Sequence, residues 1–199
     1  MFFATKLAGE GVELHTPDFN EPDFSGLTVT RMLEQVGRAI RSLPLDRVPM
    51  IGSSLGAFVA VQAALQHRDR IGCLVLLAPA LDFSDNRIRD LGDRGIEEWR
   101  RTGQLNVFHY GYGRLMPVGF ELYTDLGRYD AFNANIDVPV LVFQGRQDTA
   151  VDPASVERWA YTRPNVELHM LDDDHQLLQS LETIWGLTRE FLGLKGGAV

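Results

Sequence analysis

The stretch Gly52-Ser53-Ser54-Leu55-Gly56 joins an apolar run, Val48-Pro49-Met50-Ile51, to an apolar helix-forming segment, Ala57-Phe58-Val59-Ala60-Val61. A Gly-x-Ser-x-Gly turn between a strand and a helix is a setting in which a serine hydroxyl can be held clear of a sheet as a nucleophile. Gly52 and Gly56, which lack a Cβ, are expected to let strand and helix approach closely. The helix that starts there aims unpaired N–H groups and a partial positive charge at any oxyanion that develops beside the serine. The plain alternative is a small-residue turn without chemistry. A serine hydroxyl attacks well only when a neutral imidazole accepts its proton and a carboxylate fixes the tautomer of that imidazole. Two later loops carry such residues: 144–153 holds Asp148 and Asp152, and 172–176 holds three aspartates followed by His175. The order is serine, acid, histidine, each just past an apolar run.

The elements that must position these residues can be read from periodicity. Phe3 and Leu7 lie at helical spacing in an opening helix over residues 2–8, ended by Gly9 or Gly11. Val12-Glu13-Leu14-His15-Thr16 alternates as a strand stopped by Pro17, with His15 in a structural place. A polar loop follows, and Thr28 then caps a helix with Met32, Val36 and Ile40 on one face, ending before Pro44. Residues 48–51 form the strand before Ser54. Residues 55–67 form the helix after it, and His67 at its end suits the negative pole of the dipole. Residues 71–77 and 139–143 are continuous apolar strands, as expected where helices cover both faces of a sheet. Residues 166–171 alternate more, which places them nearer an edge. Between the last two strands Asp152-Pro153 opens a helix with Val156, Trp159 and Ala160 inward. A last helix spans about 177–192, offering Leu181, Ile184, Trp185 and Phe191 to the core. This is an α/β pattern: a mostly parallel sheet whose successive loops converge on one edge.

One segment breaks the alternation. Residues 81–137 separate consecutive apolar strands by more than an ordinary crossover needs. They include a helical stretch around 96–101, an aromatic run at 107–112 and a second helical stretch around 120–126. The segment reads as a cap inserted over the active face, the alternative being a crossover packed away from it. Within it Trp99, Phe108, Tyr110 and Tyr112 either line an acyl pocket or form the core of the cap itself. Arg87, Arg89, Arg94, Arg100 and Arg101, interspersed with Asp and Glu, read as a mixed solvated face rather than an anion site.

Bulk properties bound the partners. A chain of 199 residues with 45% hydrophobic content suffices for one well-filled domain. Its formal net charge of −8 disfavours nucleic acid and anionic membrane surfaces. No apolar run approaches the roughly 20 residues of a spanning helix, and Met1-Phe2-Phe3-Ala4 has no basic leader character. A cytoplasmic location is therefore expected. The single cysteine, Cys73, lies in an apolar strand and reads as a buried small residue. No second histidine stands at ligand spacing from His175, so a metal site is not expected, and no cofactor is expected.

Gly-Ser-Ser-Leu-Gly at 52–56, Gly-Arg-Gln-Asp-Thr-Ala-Val-Asp-Pro at 145–153 and Asp-Asp-His at 173–175 resemble the three catalytic loops of the α/β-hydrolase superfamily, in its small bacterial serine esterase branch. The likeness spans nearly the whole chain. Position by position it implies Ser54 as nucleophile, Asp148 as acid and His175 as base, with the Leu55 N–H as an oxyanion donor and Asp152 left as a helix cap. It implies hydrolysis of a small-molecule carboxylic ester or thioester, and a cap where residues 81–137 fall. The chain departs from the family in lacking the usual first strand and the His-Gly-type loop that supplies a second oxyanion donor. Two arrangements accommodate this: the natural start lies upstream of Met1, or the 12–16 strand pairs directly with the strand before Ser54. The competing function is a non-catalytic binding protein of the same fold that has lost part of its oxyanion hole.

Overall fold

The computed structural model describes residues 2–109 and 111–194, the side chains of 83–90 excepted. Helix α1 (Phe2–Gly9) is followed by an extended segment and a 3-10 turn at Phe24–Gly26, then by α2 (Val29–Ser42), β1 (Val48–Ser53) and α3 (Leu55–Gln66). Next come β2 (Ile71–Leu77), α4 (Phe83–Thr102), β3 (Gln104–His109), β4 (Arg114–Gly119) and α5 (Glu121–Leu126). The chain closes with β5 (Val140–Gly145), α6 (Pro153–Tyr161), β6 (Val166–Leu171) and α7 (Leu181–Phe191). Four strands form a parallel sheet in the order β1-β2-β5-β6, and β3-β4 is a separate antiparallel hairpin.

Period-two alternation in the strands sorts the core into two layers. Leu74, Leu76, Val140 and Val142 face α2, α3 and α6, while Val75, Leu141 and Phe143 face α1 and α7. All six residues of β5 are buried, as a central strand covered on both sides requires. Strand β6 is the edge that its weaker apolar pattern implied. Helix α2 forms where its stripe of Met32, Leu33, Val36 and Ile40 can be buried, and the Thr28 hydroxyl caps it by accepting from the Arg31 N–H.

Residues 12–16 are not a strand. The Val12 N–H is already used by the Leu7 carbonyl at 2.9 Å, in a turn where Gly11 takes φ 74°. Leu14 is 36% exposed, so the alternation has nothing to cover it. The direct pairing of this segment with the strand before Ser54 therefore does not occur, and β1 is an edge strand among the described residues. Its sequence suits an edge: Val48 and Ser54 direct their N–H groups to Arg70 and Leu77 on the β2 side, so alternation turns Pro49 outward, where a missing N–H costs no ladder bond.

The last helix also starts later than expected, at Leu181, because the residues before it are used by a loop. Leu177 takes φ 56° and is buried, and the Asp173 carboxylate accepts the Ser180 N–H at 2.9 Å. His67 terminates α3, yet burial, with Arg41 and Arg70 nearby, lowers its pKa from 6.5 and favours the neutral imidazole rather than a cation at the dipole. Burial likewise raises the Cys73 thiol, which is half-buried.

Between β2 and β5, α4 is longer than the expected 96–101 stretch and is broken at Gly92, with φ 60° and ψ 175°. The aromatic run is a hairpin strand, with Phe108 opposite Leu115. Trp99 belongs to the main core: its indole N–H donates to the Val118 carbonyl at 3.1 Å and its ring meets Phe120 edge-on. Phe108 and Tyr112 are more than half exposed and fill no core. Tyr110 and the side chains of Arg87 and Arg89 lie outside the described residues. Arg94 is exposed, and Arg100 and Arg101 pair with Glu97 and Glu98 on the solvated face expected of them. The segment is tied to α2 where the buried Asp125 carboxylate accepts the Thr30 N–H at 2.7 Å and its hydroxyl at 2.6 Å. No helix of the described residues is long and apolar enough to cross a membrane.

Candidate active site

Ser54 sits between β1 and α3 with φ 51° and ψ −116°, a conformation that L-residues avoid and that costs about 1–3 kcal/mol. Its N–H is held by the Leu77 carbonyl at 2.9 Å, and its own carbonyl accepts from Ala57 and Ala80. The turn is tight because of Gly52: a Cβ there would lie 2.6 Å from the Gly56 carbonyl oxygen and 2.7 Å from the Ala57 Cα. Gly56 does not share this role, since a Cβ built on it meets nothing within 4 Å. Only the first glycine of the motif is demanded by close approach. Gly52→Ala is therefore expected to lower the unfolding midpoint by roughly 5–10 °C, whereas Gly56→Ala leaves it unchanged or slightly higher. Thermal unfolding of the two variants side by side checks this contrast.

The loop after β5 delivers Asp148, which is 7% exposed. Its Oδ1 accepts the N–H groups of Ala150 and Val151 at 2.8 and 2.9 Å, and its Oδ2 accepts from Gln144 Nε2 at 3.0 Å and His175 Nδ1 at 2.8 Å. Burial alone would raise this carboxyl, but the bonds from His175, Val151, Gln144 and Ala150 outweigh it and hold the pKa below 3.8. Asp152, the other carboxylate of the loop, caps α6 by accepting the Ala154 N–H at 3.0 Å.

The loop after β6 delivers His175. It is stitched to the Asp148 loop by the Arg146 N–H on the Leu171 carbonyl at 2.8 Å and the Gln147 N–H on the Asp173 carbonyl at 3.0 Å. Gly145 permits this, since a Cβ there would lie 2.5 Å from the Asp173 carbonyl oxygen and would also strike that of Asp174. Asp172 is an exposed residue that takes the Gln147 side-chain amide at 2.7 Å. Asp173 is 1% exposed and braces the loop from inside, its carboxylate accepting the Ser180 N–H at 2.9 Å.

These loops bring the three sequence-predicted side chains together. His175 Nε2 lies 3.1 Å from Ser54 Oγ while its Nδ1 faces Asp148. A carboxylate can only accept, so Nδ1 carries the proton and Nε2 presents its lone pair to the hydroxyl. Such a line can move a proton from the hydroxyl to the imidazole and stabilise the imidazolium that results. The Leu55 N–H is the first of α3 and has no intrahelical acceptor. The described residues hold no group of three or more His, Cys, Asp or Glu able to bind a metal ion. Gln144, which touches Asp148, was not singled out from the sequence.

A family model matches residues 7–191, nearly the whole chain. The chain belongs to the uncharacterised protein family UPF0227. Solved structures place this UPF0227 chain in the α/β-hydrolase fold. A chain from Agrobacterium vitis S4 is 23% identical with a TM-score of 0.73, over 84% of this chain and 69% of that one. Mouse alpha/beta hydrolase domain-containing protein 10 is 16% identical with a TM-score of 0.71, over 83% and 70%. Est1E from Butyrivibrio proteoclasticus, known with ferulic acid bound, is 21% identical with a TM-score of 0.72, over 96% and 80%.

Proposed function

We propose that this UPF0227 chain is a serine hydrolase that cleaves a carboxylic ester or thioester through an acyl-enzyme on Ser54. The observation that carries the proposal is the continuous line from Ser54 Oγ through His175 to Asp148, at 3.1 and 2.8 Å. Ser54 Oγ attacks the substrate carbonyl while His175 Nε2 takes its proton. The oxyanion of the tetrahedral intermediate is received by the Leu55 N–H. Collapse breaks the bond to the alcohol or thiol, which leaves with the proton from His175. Water, activated by the same imidazole, then attacks the acyl-enzyme, and the acid departs as Ser54 regains its proton. Residues 81–137 serve as the cap over this site. The likeness to Est1E supports including a ferulate ester beside short activated esters among the substrates tried.

A fluorophosphonate probe with intact-mass and peptide readout tests the proposal: one adduct is expected, on Ser54. Ligand binding without acylation of Ser54 would favour the non-catalytic reading instead. The acid side of the pH–rate profile gives a second test. Because Asp148 stays ionised below the ordinary carboxylate range, activity should fall with one proton, that of an imidazole. A limb steeper than one proton, or none down to pH 4 or so, counts against a histidine base.

A further inference from the structure

We infer that Gln144 is a positioning residue for the Asp148–His175 pair, an inference that rests on the hydrolase reading above. Gln144 is 0% exposed, on the fully buried strand β5. One Nε2 hydrogen goes to Asp148 Oδ2 at 3.0 Å, the oxygen that His175 Nδ1 also uses, and the other to the Gly145 carbonyl at 3.1 Å. Both partners are acceptors, so the amide cannot be turned round: Oε1 in place of Nε2 would face a carboxylate and a carbonyl. The orientation leaves Oε1 buried with no hydrogen-bond partner among the described residues. An apolar side chain would avoid that cost but would leave Asp148 Oδ2 and the Gly145 carbonyl each one donor short, so glutamine here answers to the two acceptors it serves.

Its effect is on Asp148. Ala150 and Val151 hold Oδ1, and Gln144 holds Oδ2 from the strand side, so the carboxylate has no freedom to rotate away from the imidazole. Sharing Oδ2 between two donors also tempers how strongly that oxygen binds an imidazolium. Gln144 thereby sets the aim of His175 and how tightly Asp148 holds its imidazolium.

Gln144→Leu tests this on 4-nitrophenyl acetate. The unfolding midpoint should stay within a few degrees of the wild-type value, since the orphan oxygen goes while two buried acceptors each lose a donor. KM should stay unchanged while kcat falls about tenfold. The acid limb should move to higher pH, because Asp148 with one donor fewer binds the imidazolium more tightly. Wild-type kcat with an unmoved acid limb overturns the inference. So does a loss of activity that follows loss of fold alone, provided the companion variant agrees. That companion is Gln144→Glu, nearly isosteric and able to share a proton with Asp148. It should gain an alkaline limb as the shared proton, and with it the donor, is lost. Absence of that limb overturns the inference even if Gln144→Leu does not fold. A wild-type chain inert to esters and to the fluorophosphonate would sink the hydrolase reading instead. The His175 Nδ1–H proton resonance would still report on Gln144, since it should shift in Gln144→Leu whatever the turnover.

Discussion

Ser54→Ala should abolish turnover of activated esters, with a loss of roughly 10⁴-fold or more, and leave the fold intact. The hydroxyl is the one group in the line that can form the acyl bond. With it gone, the imidazole can assist only direct attack by water, and the covalent route through an acyl-enzyme is closed. Stability should scarcely change, because alanine at φ 51° inherits the same backbone strain as serine. Ser54→Gly separates the two effects. It removes the hydroxyl too, and so should be equally inactive, but glycine tolerates positive φ and should gain about 1 kcal/mol. Inactivity in both variants with stabilisation only in the glycine variant is the signature of a strained backbone maintained for the sake of Oγ. Steady-state hydrolysis with thermal unfolding on the three proteins reads it directly. Unchanged hydrolysis in Ser54→Ala would eliminate Ser54 as nucleophile.

The legibility of this site in the sequence follows from where its residues stand. Ser54, Asp148 and His175 each come directly after a short apolar run, and a parallel sheet delivers such loops to one edge whatever the details of packing. The β2 and β5 runs are unambiguous because both faces are buried. Residues 12–16 show the opposite case: their alternation is local, but a strand needs a neighbour, and the turn at Gly11 commits the Val12 N–H to α1 instead. Residues 177–180 carry a helical apolar pattern, yet Asp173 and the positive φ of Leu177 use them to hold the His175 loop. Such a bond between distant residues has no periodicity to betray it. The first strand of the β3–β4 hairpin did leave a trace, in the alternation of residues 104–109, which its aromatic content masked, whereas residues 114–119 do not alternate. Gln144 also left a trace, as a polar residue closing the otherwise apolar run Val140-Leu141-Val142-Phe143. A side chain of that kind in a strand buried on both faces needs a partner, and the nearest chemistry is Asp148.

Asp148→Asn should cost about 10⁴-fold in kcat while preserving the fold, because the surroundings dictate which end of the new amide points at His175. Ala150 and Val151 donate to the position of Oδ1, so the asparagine oxygen must sit there. Its NH₂ then occupies the position of Oδ2 and confronts two donors, Gln144 Nε2 and His175 Nδ1–H. Gln144 cannot relieve this by turning, since its Oε1 would then face the Gly145 carbonyl at the 3.1 Å position its Nε2 now occupies. The imidazole yields instead: its proton moves to Nε2, and Nδ1 accepts from the asparagine. Nε2–H now points at Ser54 Oγ across 3.1 Å and cannot take the proton of the hydroxyl. The variant should therefore stay folded and bind substrate normally, and lose its base. Nitrogen-15 spectra of the histidine should show the proton exchanged from Nδ1 to Nε2. Retention of wild-type kcat in Asp148→Asn, or an unchanged His175 tautomer, would remove Asp148 from the acid role. Asp152, which caps α6 outside this network, should tolerate the same change with kcat unaffected.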